Sequence, residues 1–97
     1  MKDKVLRTSK DFLKIQRLKN QGKIIGLCHG VFDILHVGHI NHFLEAKKKC
    51  EILIVSLTKD EFINKGPNRP VFKIENRQKF LSHLSSVDFV YVSNIAS

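Results

Sequence analysis

The stretch Gly30-Val31-Phe32-Asp33-Ile34-Leu35-His36-Val37-Gly38-His39 decides how this chain is read, because it joins an apolar segment to a helix-forming one and carries two histidines at its far end. Upstream, Ile24, Ile25, Gly26, Leu27 and Cys28 lack polar alternation, as expected of a strand over 23–28 buried on both faces of a parallel sheet. Downstream, residues 38–49 place Ile40, Phe43, Leu44 and Ala46 at helical spacing and end in Lys47, Lys48 and Lys49, whose charge suits the helix dipole. A strand-to-helix turn aims backbone N–H groups and the positive end of that dipole at one point, which suits an anion such as a phosphate. His36 and His39 stand beside that point, and Gly38 has no side chain to obstruct a ligand.

Farther along, the apolar run at 51–57 completes a strand, helix, strand unit. Thr58 opens a short helix over 58–64, and Lys65-Gly66-Pro67-Asn68-Arg69-Pro70 is a basic loop near the carboxyl end of a strand, where open α/β sheets bind ligands. A helix over 73–84, with Ile74, Phe80, Leu81 and Leu84 as its inner side, leads to a third strand over 87–92. Ahead of all this, Ser9 caps an amphipathic helix carrying Phe12, Ile15 and Leu18 and stopping near Gly22. The pattern predicts an N-terminal segment over 1–22 and an α/β domain over 23–97 with a parallel sheet.

Ninety-seven residues suit one domain or a fragment, and the net charge of +8 is compatible with nucleic acid, a phosphorylated small substrate or a solvated basic surface. The phenylalanines fall mostly at apolar-periodic positions and read as core rather than as base-stacking platforms, which favours small phosphorylated ligands over nucleic acid. Two cysteines, Cys28 and Cys50, form no disulfide framework, no apolar run is long enough to span a membrane, and no signal-peptide core follows the start; a reducing cytoplasm is the expected setting. His29, His39, His42 and Cys28 do not make a four-ligand set of suitable spacing, so no metal site is assigned. His42, His83 and Lys47 to Lys49 read as solvated helix surface.

The Gly-x-Phe-Asp-x-x-His-x-Gly-His pattern at 30–39 resembles the signature of the cytidylyltransferase-like nucleotidyltransferases, which carry a Rossmann-like three-layer fold. The likeness continues in Glu45-Ala46-Lys47, Asp60-Glu61, Lys65-Gly66-Pro67, Arg69-Pro70-Val71, Arg77 and Val87-Asp88. It implies transfer of a nucleoside monophosphate from ATP or CTP to a phosphorylated acceptor, with magnesium accompanying the nucleotide and pyrophosphate released. His36, His39 and Lys65 would be the catalytic residues. Gly30, Val31, Phe32, Asp33 and Gly38 would form the nucleotide-binding turn, and Arg77 would neutralise phosphate charge from the next helix. Within the family, Lys65-Gly66-Pro67 and Arg69-Pro70 are similar to adenylyltransferase domains that activate heptose 1-phosphate, while the cytidylyltransferases of glycerol, ethanolamine and choline phosphates share the histidine motif and Lys65-Gly66-Pro67 followed by Pro70-Val71-Phe72 also resembles the ethanolamine branch; the reading favours a sugar phosphate. Family domains continue to a second signature, close to Arg-Thr-x-Gly-Ile-Ser-Thr-Thr, that has no match here. The expectation is therefore the N-terminal part of such a domain, in a homo-oligomer or a longer chain. The alternative is a non-catalytic nucleotide-binding or oligomerisation module.

Overall fold

The computed structural model describes residues 3–63 and 66–94. Helix α1 (Ser9–Asn20) precedes β1 (Ile25–Gly30), α2 (Val37–Lys48), β2 (Ile52–Thr58), a 3-10 turn (Asp60–Phe62), α3 (Ile74–Ser82) and β3 (Phe89–Ser93). The strands form one parallel sheet in the order β1-β2-β3, with Ile25 opposite Ile52, Gly30 opposite Leu57, and Ile54 opposite Phe89. β2 is central, which is why its side chains are almost all buried and its sequence shows no alternation.

One face of the sheet presents Leu53, Val55, Leu57 and Val90 to Phe43 of α2 and Leu81 of α3, and these residues with Val87 are the core. Side chains alternate along a strand, so Tyr91 points to the opposite face, where Phe12 of α1 meets it edge-on at a ring separation of 5.4 Å. The result is helix, sheet and helix layers of unequal weight. α1 buries none of its residues, and its Phe12 stays 43% exposed. Ile40, Leu44 and Phe80, expected on the inner side, are likewise exposed, because Phe43 and Leu81 occupy the central positions against the sheet.

Several element ends differ from the sequence expectation for local reasons. Thr8, not Ser9, caps α1: its Oγ1 accepts from the Asp11 N–H, while the Asp11 carboxylate accepts from the Thr8 N–H at 2.9 Å. β1 runs on through His29 and Gly30 because these residues stay paired with Ser56 and Leu57. No helix opens at Thr58, which remains in β2 opposite Ser93; the 3-10 turn starts at Asp60, and Asn64 lies outside the described residues. The third strand begins two residues late because Asp88 is used as a tie. Its carboxylate accepts from the Leu53 N–H at 2.7 Å and from Lys47, so Lys47 is a strut at the base of the sheet rather than a solvated helix end. Beyond β3, Val5 forms a parallel bridge to Val90, covering part of that outer edge, and Leu6 beside it is buried. No described helix is long and apolar enough to cross a membrane.

The unequal layers have a measurable consequence. Phe43→Ala, in a side chain with no exposure, should cost about 3–5 kcal/mol in urea unfolding, while Phe12→Ala should cost about 1 kcal/mol or less. Equal losses would contradict a core confined to the α2 and α3 side.

Candidate active site

The turn after β1 is built by a glycine and a strained phenylalanine. Phe32 adopts a left-handed backbone conformation (φ 50°), which an L side chain takes only at an energetic cost. Its ring folds back over Gly30, where an added Cβ would lie 2.9 Å from the ring edge, and it packs against Phe43 and His39 at ring separations of 5.2 and 5.7 Å. Thus Gly30 makes room for Phe32, and Phe32 in turn backs His39.

Two buried charges hold this turn to the chain beyond β2. The Arg77 side chain has no exposure; its Nε donates to the Phe72 carbonyl, its Nη1 to the carbonyls of Val31 (2.8 Å) and Thr58 (2.8 Å), and its Nη2 to the Asp60 carboxylate. Asp33, 7% exposed, accepts from the N–H groups of Val71 (2.8 Å) and Phe72 (2.8 Å) and from Arg69 Nη1 (3.1 Å). Burial works to raise the Asp33 pKa, but these three donors outweigh it and hold the carboxyl below its usual value.

The histidines cap α2 reciprocally. His36 is the N-cap residue, and its Nδ1 accepts from the Gly38 N–H at 3.0 Å, while His39 Nδ1 accepts from the His36 N–H at 3.2 Å. The rings lie 4.1 Å apart, centroid to centroid. A Cβ on Gly38 would fall 2.6 Å from His36 Cε1, so only glycine lets the His36 ring sit over the helix end. With Nδ1 accepting in both rings, the neutral imidazoles carry their protons on Nε2. The sequence suggested bare amides for an anion, yet the N–H groups of Gly38, His39 and Ile40 are already spent on His36. The rings take up amides and offer Nε2–H donors instead. Burial, and then the charges of His36 and His42, lower the His39 pKa, which favours the neutral, capping form.

His39 lines a cavity of about 410 Å³ with Phe32, Asp33, Ile34 and Arg69, whereas His36 lines a neighbouring apolar cavity of about 540 Å³. Gly30, Val31, Phe32, Asp33, Gly38, His36 and His39 therefore come together in one turn, as their adjacency requires. Lys65 lies outside the described residues. Arg77 does not line either cavity; with its donors spent inside the protein, the direct phosphate contact that the resemblance implies is not open to it in this arrangement. The sequence held a signal for this: Ile74, Arg77 and Leu81 share one helix face, which puts a charge within an apolar stripe. Arg69, facing the cavity through its tie to Asp33, had no such marker. Among the described residues no group of three or more His, Cys, Asp and Glu could hold a metal; His29 is engaged by Ser56 at 2.7 Å, and Cys28 lies 3.8 Å from His42.

A parallel sheet topped by a glycine turn and a histidine-capped helix defines an α/β domain of the nucleotidyltransferase kind. A profile of the Cytidylyltransferase-like family matches residues 27–95, and the chain belongs to that family. It is 44% identical over 78 residues to the Bifunctional protein HldE of Sulfurimonas denitrificans and 40% identical over 80 residues to that of Desulfatibacillum aliphaticivorans, matches that cover 78% and 80% of this chain. In each case the match covers 16% of the relative's length. A solved structure, the lipopolysaccharide core biosynthesis protein from Thermoplasma volcanium GSS1, superposes with a TM-score of 0.69 at 34% identity, covering 75% of this chain and 60% of that one.

Two outcomes follow from the capped helix. Gly38→Ala displaces the His36 ring, so pyrophosphate binding should weaken about tenfold in a calorimetric titration. Its urea midpoint should barely move, because the lost cap and the better helix propensity of alanine are each worth about 1 kcal/mol and oppose each other. Because the His39 pKa is lower in the fold than in the unfolded chain, the unfolded state binds more protons between the two values. Unfolding free energy measured from about pH 8 to 5 should then fall as pH drops below about 6.5, and His39→Asn should flatten that fall.

Proposed function

We propose that this chain is the nucleotide-handling portion of a nucleotidyltransferase that passes a nucleoside monophosphate from ATP or CTP to a phosphorylated acceptor, with a sugar 1-phosphate favoured. The observation that carries the reading is the His36 and His39 cap, which offers the His39 imidazole to the cavity lined by Phe32, Asp33 and Arg69 and the His36 imidazole to the cavity beside it. The likeness of Lys65-Gly66-Pro67 and Arg69-Pro70 to adenylyltransferase domains that activate heptose 1-phosphate supports the sugar-phosphate branch and ATP as donor, and the similar solved structure is that of a lipopolysaccharide core biosynthesis protein.

In such a transfer an acceptor phosphate oxygen attacks the α-phosphorus, the bond from that phosphorus to the bridging oxygen of the β-phosphate breaks, and pyrophosphate leaves. No bond to the protein forms, so the residues act by positioning and by stabilising charge on phosphate oxygens. His39 and His36 donate Nε2–H bonds to the triphosphate as charge builds on the departing oxygens. Lys65 supplies a positive charge, the role that the resemblance implies for it. Arg77 acts as a positioning residue: it fixes the Val31 carbonyl and hence the turn on which the histidines depend. The resemblance implies magnesium. The one carboxylate lining the cavity of His39, Asp33, is occupied by three protein donors, so the ion enters with the nucleotide as part of the substrate. The reaction belongs in the cytoplasm, where nucleoside triphosphates are made.

Arg77, the cation that the resemblance sets against phosphate, is spent on carbonyls inside the protein, which favours a second reading, a module that binds nucleotide without turnover. Pyrophosphate release with magnesium, ATP or CTP, and mannose 1-phosphate or phosphoethanolamine separates the two. The first reading predicts release, reduced about 10²- to 10³-fold by His36→Ala or His39→Ala. Binding of ATP without release from any acceptor would leave the module reading standing and end the catalytic one.

A further inference from the structure

We propose that Arg69 is the residue that selects the acceptor, taking its phosphomonoester in the cavity shared with His39. This rests on the nucleotidyltransferase reading above. Among the described residues Arg69 is the only lysine or arginine lining that cavity, and it reaches it from the loop ahead of α3, whereas His39 reaches it from α2. One corner of its guanidinium, Nη1, donates to the Asp33 carboxylate at 3.1 Å. Among the described residues the Nε and Nη2 edge has no protein partner, and this is the edge with which a guanidinium grips two phosphate oxygens at once.

Asp33 makes the grip specific. It is buried, and its oxygens are already satisfied by the Val71 and Phe72 amides, so it holds Arg69 in one orientation rather than competing for ligand protons. The side chain of Arg69 is 38% exposed, within reach of a soluble ligand yet tethered. In-line transfer places the attacking and departing oxygens on opposite sides of the α-phosphorus. The end of α2, with its dipole and two histidines, serves the departing pyrophosphate. A second phosphate therefore calls for a cation on another element, and among the described residues Arg69 is that cation in this cavity. A planar fork discriminates where a point charge does not, so lysine should be a poor replacement.

Calorimetric titration of the full chain with mannose 1-phosphate, and separately with magnesium ATP, tests this. Arg69→Ala should weaken mannose 1-phosphate about ten- to hundredfold and magnesium ATP by less than about threefold, and Arg69→Lys should not restore the sugar phosphate. His39→Ala should show the opposite preference. Thermal melting of each variant checks that the fold persists, and Arg69→Lys keeps the test open if Arg69→Ala loosens the loop. Equal losses for both ligands, full rescue by lysine, or no binding of mannose 1-phosphate by the unaltered chain would overturn the assignment. Failure of the unaltered chain to bind magnesium ATP would instead remove the nucleotidyltransferase reading on which it stands.

Discussion

A guanidinium without solvent contact is the constraint around which the upper half of this molecule is arranged. Burying an arginine is strongly unfavourable unless its donors are met, and Arg77 meets them with carbonyls of Val31, Thr58 and Phe72 and the carboxylate of Asp60. Those acceptors come from the turn after β1, the end of β2, the 3-10 turn and the loop before α3. Once they converge on one cation, the segments have little freedom relative to one another. Asp33 adds the complementary tie, a buried anion reaching the amides of Val71 and Phe72. The two charges do not touch each other in these hydrogen bonds; each neutralises a separate set of backbone dipoles, and together they close the same turn from both sides.

That closure accounts for the strain at Phe32. A left-handed residue persists only where its surroundings over-determine it, and here Val31 and Asp33, its neighbours, are pinned by Arg77 and by the 71–72 amides. The ring that results backs His39, and His39 caps the residue that caps it. Histidine is an unusual choice for a helix cap, since serine or aspartate would satisfy an amide with less bulk. Imidazole does something those residues cannot: while one nitrogen accepts from the helix end, the other donates outward. The arrangement turns amides that a helix end would otherwise present into rigid donors set farther out. The cost is sensitivity to protonation, because an imidazolium has no acceptor to offer the helix.

Much of this was readable from the residues. β2 stood out because a strand covered on both faces needs no alternation, and the turn stood out because two glycines and two histidines in that order have few other uses. The choice between Thr8 and Ser9 as a cap was not readable, since adjacent hydroxyl residues are chemically equivalent until the Asp11 carboxylate turns toward one of them. Helical spacing also overstated what α2 and α3 bury. Periodicity reports which residues share a stripe, but the sheet covers only the middle of that stripe, leaving Ile40, Leu44 and Phe80 at its margins. The part played by Asp33 was hidden for a different reason: its partners are backbone amides nearly forty positions away, and amides leave no trace in composition.

The central claim is a pair of neutral imidazoles, each accepting at Nδ1 and donating at Nε2 to a triphosphate. Long-range proton–nitrogen NMR correlations on ¹⁵N-histidine-labelled protein read this directly. The account predicts that the neutral form of both rings carries its proton on Nε2, and that adding magnesium ATP moves their Nε2 signals while their Nδ1 nitrogens keep the pattern of an acceptor. Rings protonated at Nδ1 in the free protein, or Nε2 signals indifferent to the nucleotide, would contradict it.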